Sequence, residues 1–88
     1  MKMKNHFILG VHITDRVHHV GQVQQLLTDY GCSIRTRLGL HETSTDFCSP
    51  NGLLILEMIG DAKTCGGLAR KLAKVEGVEV QKMVFKHP

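Results

Sequence analysis

The sequence has no tryptophan, one tyrosine and three phenylalanines, so any core built from it must be aliphatic. Its three cysteines, Cys32, Cys48 and Cys65, are odd in number and far apart, and no CxxC occurs. That removes the main support for a zinc ribbon or a thioredoxin-type redox site. No apolar run approaches the ~20 residues of a membrane helix. Nothing resembles a signal peptide: Met1 to Lys4 is basic, but the apolar stretch from Phe7 to Ile13 is short and interrupted by His12. A strong charge of one sign is also missing. Lys plus Arg is 11 and Asp plus Glu is 8, a formal net charge of +3. The basic residues are scattered, with only Arg35 and Arg37 forming a close same-side pair, so no nucleic acid is expected. The expected compartment is a reducing cytoplasm, away from membranes, with the cysteines as free thiols.

What is present fits one small globular domain spanning 1–88, with 42% hydrophobic and 22% charged residues. A chain of this size buries roughly 60% of the surface that its unfolded form exposes. The core is thin, and self-association is an easy way to bury more.

Phe7 to Ile13 is rich in β-formers and is followed by Thr14-Asp15, a good helix start; it reads as a first strand. Over Val17 to Tyr30, Val20, Val23, Leu27 and Tyr30 recur at helical steps, widened by Leu26, and Gly31 stands where a left-handed C-cap is wanted. Cys32 to His41 alternates as a half-buried second strand, with Cys32, Ile34, Thr36, Leu38 and Leu40 on one face and Ser33, Arg35, Arg37, Gly39 and His41 on the other. Glu42 to Gly52 is a long polar connection ending in the turn signal Pro50-Asn51-Gly52. Leu53 to Ile59 is a third strand, apolar on both faces except at Glu57. Asp61 is the expected N-cap of a second helix striped by Leu68, Leu72 and Val75, with Gly66-Gly67 weakening its first turns. A close approach by backbone, partner or ligand would account for that pair. Gly77 turns the chain into a fourth strand, Val78 to Phe85.

The halves echo each other through Gly21/Gly66, Val23/Leu68, Leu27/Leu72 and Tyr30/Val75. A β-α-β unit used twice predicts an α+β, ferredoxin-like βαββαβ fold of ACT-like form: a four-stranded antiparallel sheet with two helices on one face. If Phe7, Leu9, Val11 and Ile13 face the helices, the first strand shows His6, Ile8, Gly10 and His12 on the other side. The third strand shows either Leu53, Ile55, Glu57 and Ile59 or Leu54, Leu56 and Met58 there. Both choices leave an exposed apolar face, and a homodimer or tetramer is expected to cover it.

Arg37-Leu38-Gly39-Leu40 before the hairpin, and the closing pattern of Leu68, Lys71, Leu72, Gly77, Val78 and Val80, resemble the small family of iron-only hydrogenase system regulators. The resemblance runs over nearly the whole chain. It implies an ACT-like fold, self-association and a regulatory role. The fold is also similar to the ligand-binding half of nickel-responsive repressors. Their N-terminal DNA-binding segment has no counterpart here, so direct DNA binding is not expected.

Two candidate sites follow. ACT domains bind small ligands near the first strand-to-helix loop, here Ile13-Thr14-Asp15-Arg16. Thr14, Asp15 and Arg16 would hold a small-molecule effector, a carboxylate being favoured by the helix N-terminus, with Arg37 as a further anion contact. Asp15 alone also serves as a plain helix cap. The second candidate is a transition-metal site of His41 and Cys48, imidazole and thiolate suiting nickel or zinc. Position 39 is glycine where the repressors' His-x-His pair has histidine, so another ligand would come from His12, His18 or His19. His6 and His87 are expected in solvent. A Cys48–His41 nucleophile pair has no recognisable substrate cleft around it, so catalysis is not expected. The expected function is a non-catalytic regulatory or sensory binding module acting as a homo-oligomer. The alternative is a metal-binding protein using His41 and Cys48.

Overall fold

A computed structural model describes residues 5–14, 16–43 and 48–86, with side chains for all of these except 16–20, 40–43 and 48–51. The chain order is β1 (His6–Ile13), α1 (Arg16–Asp29), a 3-10 turn (Gly31–Ser33), β2 (Ile34–Thr43), β3 (Cys48–Met58), α2 (Ala62–Ala73) and β4 (Val78–Phe85). The strands form one antiparallel sheet in the order β2-β3-β1-β4. This is the ferredoxin-like α+β fold expected from the repeated β-α-β pattern.

Alternation on β1 sets the core. Phe7, Leu9, Val11 and Ile13 are buried, and their neighbours on β3 in the same rows include Met58 and Leu56. Val23 and Leu27 of α1 and Cys65, Leu68 and Leu72 of α2 join the same cluster, so both helices close over this one face. Leu26 and Tyr30 pack at its border. Asp61 caps α2, its carboxylate accepting the Thr64 amide at 2.8 Å. Gly60 and Gly77, flanking that helix, have φ of 110° and 82°, backbone that a side chain strains. The Thr14 amide donates to the Gly77 carbonyl at 2.7 Å, tying the end of β1 to the turn before β4.

Four local expectations are corrected. Gly31 is not a left-handed cap: it opens the 3-10 turn, with the Ser33 amide bonded to the Tyr30 carbonyl at 2.9 Å. The second strand therefore starts at Ile34 rather than Cys32. A bulge between Ile34 and Thr36 then inserts an extra residue, Arg35. Ile34 pairs with Met58 on the helix side, whereas Thr36 pairs with Glu57 and Leu38 with Ile55 on the other. The bulge splits the set that simple alternation put together, and it separates Arg35 from the row pattern of Arg37. Finally, Pro50-Asn51-Gly52 is strand, not turn. β1 ends at Ile13, which pairs with Gly52, so residues 48–51 run past it and Pro50 owes β1 no hydrogen bond. The connection narrows to 44–47, outside the described residues.

Gly66 and Gly67 are explained within the chain. Tyr30 Oη lies 3.2 Å from where a Cβ on Gly67 would sit, and Arg70 Nη1 lies 3.3 Å from one on Gly66. The close approach is made by two side chains of the same molecule.

Two glycine substitutions should therefore have opposite signs in chemical denaturation. Gly21, in α1, has nothing near its missing Cβ and ordinary φ, so Gly21→Ala should stabilise by about 1 kcal/mol. Gly77→Ala should destabilise by at least about 1 kcal/mol through its positive φ.

Candidate functional site

The helix-free face of the sheet is the site that the fold builds. The register resolves its composition: β3 turns Leu53, Ile55 and Glu57 to this face, keeping Leu56 and Met58 in the core. One row runs Leu38, Ile55, Gly10 and Gln81; the next runs Thr36, Glu57, Ile8 and Met83; Phe85 pairs with His6 at the rim. Leu38, Met83 and Phe85 are 51%, 54% and 46% exposed. Gly10 puts no side chain into its row, leaving a recess whose nearest wall atom is the Gln81 carbonyl.

A polar network crosses this apolar field. His6 Nε2 lies 2.7 Å from Glu57 Oε2, and the Thr36 hydroxyl donates to Glu57 Oε1 at 2.7 Å. Three strands thus meet on one carboxylate, and the His6 ring also packs near Phe85, with centroids 6.3 Å apart. The Thr36 and His6 hydrogen bonds hold the Glu57 carboxyl below its ordinary pKa, helped by the positive charge of Arg35 and against partial desolvation. His6 was expected in solvent; it is half-buried in this network. The signal that could have found it is Glu57 itself, the lone charge in an otherwise apolar strand, which asks for a partner.

The residues proposed from sequence are dispersed differently. Thr14 is exposed in the turn after β1. Asp15 lies outside the described residues, and Arg16 is the first residue of α1, its side chain outside them. Arg37 does not join that loop: its partner Leu56 is level with Leu9, four residues from Ile13 along β1 and two strands away. At ~3.3 Å per residue that is roughly 13 Å along the sheet. His41 pairs with Gly52, and Cys48 with Thr43, two residues further along β2; His12 pairs with Leu53. The three backbones thus share one end of the sheet. The His41 and Cys48 side chains, like Asp46 and His87 as a whole, lie outside the described residues. Among the described residues no cluster of three His, Cys, Asp or Glu side chains is placed to hold a metal. Burial pushes the Cys65 thiol up, with Lys82 opposing in part, which keeps it protonated and unreactive. No helix is long and apolar enough to cross a membrane among the described residues.

No protein-family model and no curated protein matches the chain. Solved structures do. The uncharacterized protein TM1266 from Thermotoga maritima is 26% identical, with a TM-score of 0.80 over 94% of this chain and 100% of its own. CPII from Thiomonas intermedia K12, a nitrogen regulatory PII-like protein bound to ADP, AMP and bicarbonate, is 14% identical, with a TM-score of 0.57 over 99% of both chains. A formyltetrahydrofolate deformylase from Pseudomonas putida KT2440 is 14% identical, with a TM-score of 0.54 over 89% of this chain and 28% of its own. The chain shares a ferredoxin-like fold with these proteins.

The Glu57 network gives stability a signed pH dependence. A carboxyl with a lowered folded pKa adds stability above the ordinary carboxylate range, and that contribution disappears as pH falls through the folded value. Thermal unfolding from neutral to acid pH should show a decline that Glu57→Gln flattens. Parallel acid profiles for the two proteins would remove the network from any stabilising role.

Proposed function

We propose that this chain is a non-catalytic regulatory binding module that works as a homo-oligomer, a second copy covering the helix-free face of the sheet. One observation carries the reading: Ile8, Leu38, Leu53, Ile55, Met83 and Phe85 line the side of the sheet opposite the helices, and three of them are about half exposed. Isolated exposed apolar residues are ordinary, but a contiguous field of them is a mark of an interface.

Size selects the occupant. Four strands at ~4.8 Å and eight residues at ~3.3 Å give a face of roughly 500 Å². Two such faces together reach about 1,000 Å², the lower bound for a specific interface, so the partner must use the whole face. The matching helix-free face of a second copy does this, whereas a single peptide strand or helix covers only a fraction. The His6–Glu57–Thr36 network suits such burial, since the carboxylate enters the interface with two partners already in place.

The regulatory half of the reading rests on likeness. CPII, of the same fold, is a nitrogen regulatory protein, and the Arg37-Leu38-Gly39-Leu40 and closing-strand patterns resemble the iron-only hydrogenase system regulators. In this reading the module senses a small effector and passes its state on through oligomer contacts, in a reducing cytoplasm.

Sedimentation of the purified chain at micromolar concentration should give an even oligomer. Met83→Glu and Leu38→Glu, both at exposed positions that leave the core intact, should each weaken self-association at least about tenfold, with helical content preserved. A wild-type chain that sediments as a monomer would sink the reading.

A further inference from the structure

The helical layer carries a second feature that the sheet face does not use. A groove of about 410 Å³ runs between the end of α1 and the outer side of α2. Along α2, Lys63, Arg70, Lys71 and Lys74 line it, positions that share one helical face. Tyr30 closes it from the α1 side, and the Thr64 side chain adds a hydroxyl. No acidic side chain lines it among the described residues.

Two further observations show that the groove is shaped rather than a bare stripe of charge. Lys71 is held with its ammonium 5.2 Å from the Tyr30 ring centroid, a cation–π arrangement that fixes one cation and one wall. Gly67 lies on the floor, with Gly66 next to it in the chain. Each glycine costs a helix about 1 kcal/mol relative to alanine, yet the pair stands in the middle of α2. The core does not require it, because Cys65 and Leu68 on either side fill the buried face. What occupies the vacated space is Tyr30 Oη over Gly67 and Arg70 Nη1 over Gly66. Gly67 thus lowers the floor under the Tyr30 hydroxyl, and Gly66 leaves room for the Arg70 guanidinium.

We propose that this groove binds a small organic polyphosphate. The charge count selects the ligand. A single carboxylate answers one of four cations, whereas a di- or triphosphate matches most of them. Lysine ammoniums and an arginine fork are the groups that hold phosphoryl oxygens in proteins. The Tyr30 and Thr64 hydroxyls supply neutral donors beside them. The volume lies in the range of small-molecule sites, ~300–1,000 Å³, enough for linked phosphates and part of an organic body. The proposal does not rest on the oligomer reading, since the groove belongs to the helical layer and the apolar field to the other side of the sheet.

Calorimetric titration of sodium tripolyphosphate into the full chain at low ionic strength tests it, with amide chemical-shift mapping. Saturable binding is expected, weakening with added salt, with shifts concentrated at Tyr30 and residues 63–74. The triple variant Lys63→Gln, Arg70→Gln, Lys74→Gln alters lining side chains outside the core and should bind at least about tenfold more weakly while keeping its circular dichroism. Tyr30→Phe keeps the ring under Lys71 and removes only the hydroxyl, and should weaken binding severalfold. Shifts spread evenly over every lysine, or unchanged affinity in the triple variant, overturn the proposal. Tighter binding of a polyglutamate peptide of equal charge overturns it in favour of an acidic protein partner.

Discussion

Leu9 and Leu56 face each other across the two central strands, and both helices close over them. This single aliphatic layer between sheet and helices is what the rest of the structure depends on. With no tryptophan and few aromatic rings, the layer is filled by side chains of similar size, leucine and valine above all. Burial scales with apolar area, at about 25 cal/mol per Å², so a layer one side chain deep has little in reserve. The cap and turns at the ends of α2, Asp61 and the two positive-φ glycines, fix where that helix starts and stops over it.

A one-layer core leaves the opposite side of the sheet to solve its own problem. Its central strands are flanked on both sides, so their residues are covered by neighbours even where no helix lies above them. Apolar residues there are favourable for strand pairing yet only half shielded from water. The Glu57 carboxylate sits within that field because His6 and Thr36 reach it from the strands on either side. The result is a surface that is hydrophobic in area but polar at one fixed point. Such a point gives any apposed surface a register as well as an attraction. The groove on the helical layer has a different character, lined by four cationic side chains with one aromatic wall. The two sides of the molecule are therefore chemically distinct, one an apolar field around a single carboxylate and the other a cationic groove.

Local order was legible in the sequence wherever a residue's role depends on its near neighbours. The stripes of Val23–Leu27 and Leu68–Leu72, the Asp61 cap, the Gly77 turn and the bounds of β4 all obey such rules. The repeated β-α-β pattern then gave the topology. What escaped depends on partners distant in sequence. The Arg35 bulge is a property of the β2–β3 pair, not of β2, and it redistributes Ile34, Thr36 and Leu38 between faces. Pro50 reads as a turn until it is known that β1 stops at the level of Gly52. His6 and Glu57 are 51 residues apart, and Tyr30 meets Gly67 only because the helices pack side by side. Of the expected effector residues, Arg37 lies far along the sheet from Thr14.

The bulge at Arg35 also bears on how relatives of this chain can vary in length. Thr36 is held opposite Glu57 by its hydroxyl, and Ile34 opposite Met58 by the core, so both ends of the irregularity are pinned. A descendant that lost the residue between them would close the ladder and keep every downstream pairing. One that lost a residue anywhere from Thr36 to Gly39 would turn the remaining edge strand over, moving arginine and leucine to exchanged sides. Position 35 is therefore a place in this strand where a residue can be dropped without rewriting the surface beyond it.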